Sequence, residues 1–236
     1  MSNLGSDPIL ENLLIRLVAF DFNGTLIDDS PKLVGALNAV FAALGRPALS
    51  RAQIAARLGL PWTDLFRALG VSEAAASDAD LGRLYREAYL AGPAPALYPD
   101  VIPTLRELVH RGCQTAILSA QEEAMTRSQL SAWPEVSDSL CELLGGVGDK
   151  AGTLRELAAR HNLSIAQLAY VGDQVSDMTE ARAAGALPVG RLGGIGSASR
   201  LRRAGATILV ADLAQLPDLL AAYDAAKSST LATVIP

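Results

Sequence analysis

Short apolar runs alternate with helix-like segments along this chain, and the alternation is interrupted only once, directly after the first run. The runs lie at 16–20, 114–118, 168–171, 187–189 and 207–210. Strands that alternate with helices predict a parallel sheet covered by helices on both faces. From Pro31 to about Leu90, apolar residues instead recur at helical spacing, without a convincing strand. We therefore expect an α/β fold, a doubly wound parallel sheet with an inserted α-helical domain.

The helical block sets the predicted domain boundaries. Residues 1–28 and 96–236 would form the core domain, and residues 29–95 the inserted domain. The chain would return to the core through residues 91–95, where Pro and Gly limit regular structure. The last helix is predicted over Leu213–Asp224, and a loose tail over Lys227–Pro236.

Composition and charge exclude several kinds of partner. Half of the residues are apolar, which is enough for a sizeable core, and the net charge is −5. Lys and Arg are scattered along the chain, which argues against a nucleic-acid-binding surface. Residues 1–12 lack the pattern of a signal peptide, and no apolar stretch reaches the ~18 residues of a membrane span. We expect a cytoplasmic protein without membrane or nucleic-acid partners, and the oligomeric state is not indicated.

Polar residues follow three of the predicted strands, namely Asp21, Ser119 and Asp173. In open α/β sheets, ligands bind at the carboxyl ends of the strands, which meet at one edge. A single Asp after an apolar run often only caps a turn or a helix. Three such strand ends, together with Lys150 at the start of a predicted helix, favour a functional site.

Four segments of the sequence carry a family resemblance. They are Asp21-Phe22-Asn23-Gly24-Thr25, Ser119, Lys150 and Gly172-Asp173-Gln174-Val175-Ser176-Asp177. In this order they resemble the four motifs of the haloacid dehalogenase superfamily, most closely its phosphoglycolate-phosphatase-like branch. The resemblance implies a Rossmann-like core with a helical cap. It also implies a Mg²⁺-dependent phosphatase that hydrolyses a small phosphorylated metabolite through an aspartyl-phosphate on Asp21.

The resemblance also assigns roles to individual residues. Asp21 would be the nucleophile, and Ser119 and Lys150 would bind the phosphoryl oxygens and neutralise their charge. The implied metal ligands are the carboxylates of Asp21 and Asp173 and the backbone carbonyl of Asn23, with Asp177 acting through a bound water. Mg²⁺ prefers such oxygen ligands. Two simpler readings stay open, because Lys150 could be a solvated lysine and Asp177 could cap the helix that starts near Ser176.

Further residues are assigned to phosphate and substrate. Phosphate binding would involve Gly24, Thr25, Ser119, Ala120 and Lys150. In the cap, the loop at Gly59 and Trp62 resembles a substrate-facing turn, although Trp62 could equally lie in the core of the cap. The glycine-rich segment 191–196 would form one wall of the site.

Asn23 departs from the family pattern, which usually has Asp at this position. That Asp donates a proton to the leaving group and later activates water, and Asn cannot carry a proton. General acid–base catalysis is typically worth roughly 10²–10⁴-fold, so efficiency is in doubt. The chain could be a phosphatase with a good leaving group or another proton carrier. It could also hold a long-lived phosphoenzyme, perform other family chemistry, carry an engineered substitution, or only bind a phosphorylated ligand.

Overall fold

The fold is organised around a central parallel sheet, seen in a computed structural model that describes residues 14–58, 60 and 62–232. The strands in chain order are β1 (Leu17–Phe20), β2 (Ile27–Asp28), β3 (Ala96–Leu97), β4 (Gln114–Leu118), β5 (Glu142–Leu144), β6 (Leu168–Gly172), β7 (Leu187–Arg191) and β8 (Ile208–Val210). Six of them form the sheet, in the order β5-β4-β1-β6-β7-β8, and every pair is parallel. The first strand thus lies inside the sheet, between β4 and β6.

The helices fall into two groups. Four lie between β2 and β3, and they are α1 (Ser30–Ala43), α2 (Arg51–Ala55), α3 (Trp62–Ala68) and α4 (Asp78–Ala91). The others accompany the sheet, and they are α5 (Val101–His110), α6 (Glu123–Leu130), α7 (Pro134–Ser139), α8 (Lys150–Arg160), α9 (Val175–Ala184), α10 (Ala198–Ala204) and α11 (Leu216–Ala232). Two short 3₁₀ turns lie at Ile165–Gln167 and Leu213–Gln215.

The sheet buries both of its faces, as the continuous apolar strand β1 requires. Successive side chains of a strand point to opposite faces. Val18 and Phe20 accordingly join a core with α5, α7 and α11. Leu17 and Ala19 join a second core with α8 and α9. The predicted doubly wound α/β fold is therefore confirmed.

The inserted helices have a hydrophobic core of their own. Leu37 and Phe41 of α1 pack with Ile54 of α2, Phe66 of α3 and Leu81 of α4. Where the chain leaves and re-enters the core domain, β2 and β3 pair in antiparallel register, with Ile27 opposite Leu97. We call the unit α1–α4 the cap. The boundaries at 28/29 and 95/96 stay a prediction.

The carboxyl-terminal segment differs from the expected loose tail. Helix α11 continues through Lys227 and ends at Ala232, while 233–236 lie outside the described residues. The helix holds one edge of the core, because Asp224 accepts a hydrogen bond from the backbone N–H of Ile15 at 3.1 Å. Among the described residues, no helix is both long and apolar enough to cross a membrane.

Candidate active site

Asp21, Ser119 and Asp173 lie next to one another at the carboxyl edge of the sheet. Each is the first residue after its strand, and β1 pairs with β4 on one side and with β6 on the other. Backbone hydrogen bonds fix this edge, since Asp21 N–H donates to Val171 and Ser119 N–H donates to Leu144. All three side chains are buried. The parallel register thus brings together polar residues that lie 54 to 152 positions apart in the sequence.

Lys150 joins two carboxylates of this edge. Its Nζ donates to Asp21 Oδ1 at 2.9 Å and to Asp177 Oδ1 at 2.7 Å. Asp149 caps the start of α8 by accepting a hydrogen bond from Gly152 N–H, which fixes the residue that follows it. Burial favours the neutral amine, but Asp177 and Asp21 raise the pKa of Lys150 well above its ordinary value. The ammonium form is therefore retained, and Lys150 is not a solvated lysine.

Asp177 has two structural tasks at once. Its Oδ2 accepts the Gln174 N–H at 2.9 Å, which caps the start of α9, while Oδ1 faces Lys150. The close approach depends on Gly172, because a Cβ there would lie 2.3 Å from the Asp177 carboxyl carbon. Capping and charge pairing are thus both present, and the capping interpretation of Asp177 does not exclude a role in the site.

Of the three aspartates Asp21, Asp173 and Asp177, Asp173 is the one that forms no ion pair with a described lysine or arginine. Oδ2 accepts the Ile195 N–H at 3.0 Å, and Oδ1 is buried without a hydrogen-bond partner among the described residues. Burial, and then the charges of Asp177 and Asp21, raise the pKa of Asp173 well above its ordinary value. The ionised form therefore needs a positive charge that the described side chains do not provide.

The donor set fits a divalent cation. Asp21, Asp173 and Asp177 each offer a carboxylate oxygen within 4.8 Å of the others. Burial, followed by the charge of Asp177, raises the pKa of Asp21 to about 6, against the opposing effect of Lys150. Hard cations such as Mg²⁺ take carboxylate oxygens, and a cation here would neutralise the charges that Lys150 leaves unpaired. The orphaned Asp173 Oδ1 is the observation that favours this fit.

Glycines keep the surrounding backbone close to Asp173. Gly24 has φ +76°, and a Cβ on it would lie 2.5 Å from Asp173 Oδ2. A Cβ on Gly194 would lie 2.2 Å from the same oxygen. The segment 191–196 therefore forms the predicted wall, and it also contacts the cap, because Arg51 Nη2 donates to the Gly194 carbonyl at 2.8 Å.

Asn23 is held by a network of side-chain amides. Its Nδ2 donates to Gln121 Oε1 at 3.2 Å. Gln121 Nε2 in turn donates to Thr126 and Gln129, which fixes the orientation of the Gln121 amide. Asn23 Oδ1 is buried without a partner among the described residues. Asn23 therefore presents a hydrogen-bond acceptor to the site, but no titratable proton.

The predicted phosphate-binding residues differ in how free their polar groups are. Ser119 and Ala120 line the cavity of about 860 Å³ that also contains Asp21 and Lys150. The Ser119 Oγ accepts the Gln121 N–H, so its own hydrogen stays available for donation. Gly24 N–H instead donates to the Ile27 carbonyl. Thr25 is fully buried, and its Oγ1 has no partner among the described residues.

Described residues of the cap that the sequence analysis did not single out also line the site. Gly59 lies outside the described residues, and of Trp62 only the backbone is described, at the start of α3. A second cavity, of about 220 Å³, is instead lined by Asp29, Tyr85 and Tyr89 from the cap side. Tyr85 and Tyr89 lie four residues apart on α4, a spacing that places both on one face of the helix. This spacing of two tyrosines is the sequence signal from which both cavity residues could have been identified.

Comparison with known proteins identifies the family. A family model described as haloacid dehalogenase-like hydrolase matches residues 18–190. The chain belongs to the haloacid dehalogenase-like hydrolase family. The chain is 32% identical to the phosphoglycolate phosphatase of Xylella fastidiosa over 188 residues, covering 74% of this chain and 79% of that protein. It is 28% identical to the phosphoglycolate phosphatase of Vibrio cholerae, covering 75% and 84%.

Solved structures of haloacid dehalogenase-like proteins share the fold of this family member. The Streptococcus pneumoniae family protein SP0104 superposes with a TM-score of 0.76 at 22% identity, over 87% of this chain and 98% of that one. A predicted phosphoglycolate phosphatase from Haemophilus somnus gives a TM-score of 0.72, also at 22% identity, over 87% and 97%. The resemblance to the phosphoglycolate-phosphatase-like branch is thus confirmed, and the family is one of hydrolases.

Proposed function

We propose that the chain is a Mg²⁺-dependent phosphatase that cleaves a small phosphate monoester through an aspartyl-phosphate on Asp21. The most direct support is that Asp21, Asp173 and Asp177 form a buried group of carboxylates. The Lys150 ammonium donates hydrogen bonds to two of them, Asp21 and Asp177. A phosphate monoester resists attack because its oxygens repel an incoming anion. The group combines a carboxylate nucleophile with positive charge that reduces this repulsion.

Asp21, Asp173 and the Asn23 backbone carbonyl would hold Mg²⁺, with Asp177 acting through water. When bound, the ion supplies charge neutralisation at the phosphoryl oxygens and orients them. Lys150 holds one Asp21 oxygen at 2.9 Å and so orients the carboxylate for attack with the other. The Ser119 hydroxyl and the Lys150 ammonium would bind phosphoryl oxygens. Gly24, Thr25 and Ala120 would shape the same pocket.

Asn23 orients a group without carrying a proton. Its unpartnered Oδ1 can accept a hydrogen bond from the attacking water or from the leaving group. The hydrogen bond from Nδ2 to Gln121 fixes the plane of the Asn23 amide, and residue 23 lines the cavity of about 220 Å³. Proton transfer itself must come from elsewhere, or the leaving group must depart without a proton.

The substrate we propose is a small phosphorylated metabolite, with phosphoglycolate as the first candidate. Two relatives of comparable length carry the name phosphoglycolate phosphatase. The cavity of about 220 Å³ behind Asn23 has room for a short leaving group. Leu33, Leu58 and Tyr85 contribute to its lining, so the cap would select the leaving group and exclude water. Gly59 and Trp62 stay candidate substrate contacts.

Free-phosphate release from a panel of monoesters, with and without Mg²⁺, tests the proposal. Panel members should include phosphoglycolate, sugar phosphates, nucleotides and p-nitrophenyl phosphate. We expect Mg²⁺-dependent turnover that Asp21→Asn abolishes, and mass spectrometry of the quenched protein should place a phosphoryl group on Asp21. Turnover that persists in Asp21→Asn would contradict the nucleophile assignment.

A second candidate is a phosphate-ligand-binding or regulatory protein, and Asn23 is the residue that favours it. The discriminating measurement is turnover by the wild-type chain and by Asn23→Asp. Absence of turnover in both folded proteins, together with Mg²⁺-dependent binding of inorganic phosphate, would support the binding role instead.

A further inference from the structure

A further buried carboxylate, besides those of Asp21, Asp173 and Asp177, lies close to the site at Asp29. This residue precedes α1, and its side chain is 7% exposed. It lines the cavity of about 220 Å³ that is also lined by Asn23 and Asp173. Asp29 thus lines the same cavity as Asn23, whose amide has no proton to give.

Asp29 has a defined hydrogen-bonding environment. Tyr89 Oη donates to Asp29 Oδ2 at 3.2 Å. Asp28 and Lys32 are the nearest charges on its own segment, and Lys32 Nζ lies 4.8 Å from the centre of the Tyr89 ring. Tyr85 stacks on Tyr89 with ring centroids 5.6 Å apart. The hydrogen bond from Tyr89 of α4 therefore orients the Asp29 carboxyl group.

Burial raises the pKa of Asp29 to about 6, and the hydrogen bond from Tyr89 opposes this shift. A group that titrates close to the working pH can both give and accept a proton. An aspartate with the ordinary pKa of 3.8 is almost fully ionised at neutral pH and has no proton to donate. The environment thus gives Asp29 the property that Asn23 lacks.

We propose that Asp29 is the proton carrier of this enzyme and takes the place of the acid that is absent at position 23. Tyr89 is its positioning residue. This inference rests on the proposed phosphatase function. Transfer would be direct or through one water, for which the cavity has room, since a water takes up about 30 Å³.

The proton balance closes over two half-reactions. In the first, Asp21 forms a bond to phosphorus, the bond to the leaving oxygen breaks, and the Asp29 carboxyl proton passes to that oxygen. In the second, the Asp29 carboxylate accepts a proton from water, whose oxygen bonds to phosphorus while the bond to Asp21 breaks. Inorganic phosphate leaves, and both aspartates return to their starting states.

The test compares two leaving groups in Asp29→Asn. Since kcat/KM reports only the steps up to release of the alcohol, it isolates the first proton transfer. For phosphoglycolate, whose leaving group needs a proton, we expect kcat/KM to fall by roughly 10²–10⁴-fold. For p-nitrophenyl phosphate it should change by less than about fivefold, because nitrophenolate departs unprotonated. A burst of nitrophenol should also develop, since water attack on the phosphoenzyme is slowed.

Three further variants complete the design. Adding Asn23→Asp to Asp29→Asn should restore phosphoglycolate turnover, because the carboxylate returns at the first motif. Tyr89→Phe should lower kcat/KM for phosphoglycolate in the same selective way, but less. Asp64→Asn removes an exposed cap carboxylate of the same charge and should behave as wild type.

The outcomes separate this inference from the proposed function. If the wild type hydrolyses phosphoglycolate and Asp29→Asn, folded by circular dichroism, is unaffected, the proton carrier is another group. An equal loss of kcat/KM on both substrates would show that Asp29 has only a structural role. Failure of the double variant to recover phosphoglycolate turnover would show the same. Absence of hydrolysis of every ester by the wild type would refute the phosphatase function and this inference with it.

Discussion

Replacing Asp173 with asparagine removes one buried carboxylate while keeping the shape of the side chain. The new amide oxygen can still accept the Ile195 N–H that Asp173 accepts at 3.0 Å. Without a divalent cation, ionising Asp173 would place three carboxylates beside the single ammonium of Lys150, a net charge of minus two in a buried site, and keeping Asp173 protonated above its ordinary pKa costs stability as well. Unfolding relieves this repulsion. The variant should therefore be more stable than the wild type in EDTA.

The geometry sets the size of this effect. The carboxylate oxygens lie within 4.8 Å of one another. At an effective dielectric constant of about 20, two unit charges at that separation repel by roughly 3.5 kcal/mol. Asp173 faces two such charges, Asp21 and Asp177, and the Lys150 ammonium offsets about one of them, so the variant gains about 3 kcal/mol. For a chain of this size, that corresponds to a rise in Tm of about 6–12 °C.

Magnesium reverses the comparison. At a concentration one hundred times its Kd, the ion stabilises a protein that binds it only when folded by about 2.7 kcal/mol. Asp173→Asn should lose most of this gain. Thermal unfolding at pH 8 in EDTA and in excess Mg²⁺, followed by circular dichroism, measures both effects, with Asp64→Asn as the matched control. A variant less stable than wild type in EDTA, or equally stabilised by Mg²⁺, would refute the account of Asp173 as an unpaired ligand.

Two further predictions concern backbone packing and pH. Gly194→Ala places a Cβ 2.2 Å from Asp173 Oδ2 and 2.6 Å from a backbone carbonyl, so urea unfolding should show a loss of about 1–3 kcal/mol, with weaker Mg²⁺ binding by calorimetry. Gly35→Ala, in α1 with nothing within 4 Å of its Cβ, should instead stabilise by about 0.5–1 kcal/mol. Asp21 and Asp29 have pKa values raised from 3.8 to about 6, so the folded state binds more protons between these values. Stability in EDTA should therefore fall by a few kcal/mol in urea titrations as the pH rises from 4 to 6, with the raised pKa of Asp173 acting in the same direction, and a flat profile would contradict the burial of these groups.

The elements that were predictable from sequence are those with a strong local pattern. The apolar runs that become β1, β4 and β6 each end in a polar residue, and the parallel arrangement follows from alternation with helices. Strand β5 was missed because Glu142–Leu144 is too short for a pattern to emerge. Helix α7 was missed as well, since Pro134 opens a segment of only six residues. Helix α11 continues beyond Asp224 through residues that are exposed or half-buried up to Ser229, so no buried apolar pattern marks its extension in the sequence.

Within the site, local sequence and tertiary contact contributed different residues. Asp21, Asp173 and Lys150 were identifiable from their place in the motifs. Gln121, Asp29 and Tyr89 carry no motif, and their roles depend on contacts over long sequence separations. Asn23 and Gln121, for example, are 98 residues apart, and Tyr89 and Asp29 are 60 apart.

The sequence by itself determined the sheet, the inserted helices, the two carboxylates and the serine at the strand ends, and the lysine and third carboxylate in the first turns of two helices. These follow from hydrophobic periodicity and from the chemistry of a few residues, both of which are local properties. Only the tertiary structure decided that Lys150 pairs with Asp21 and Asp177 and leaves Asp173 without a cation. It also decided that Asp29 and Asn23 line the same cavity. The reason is that charge pairing and burial depend on how separate elements pack, and packing distances of a few ångströms are not encoded in any one segment.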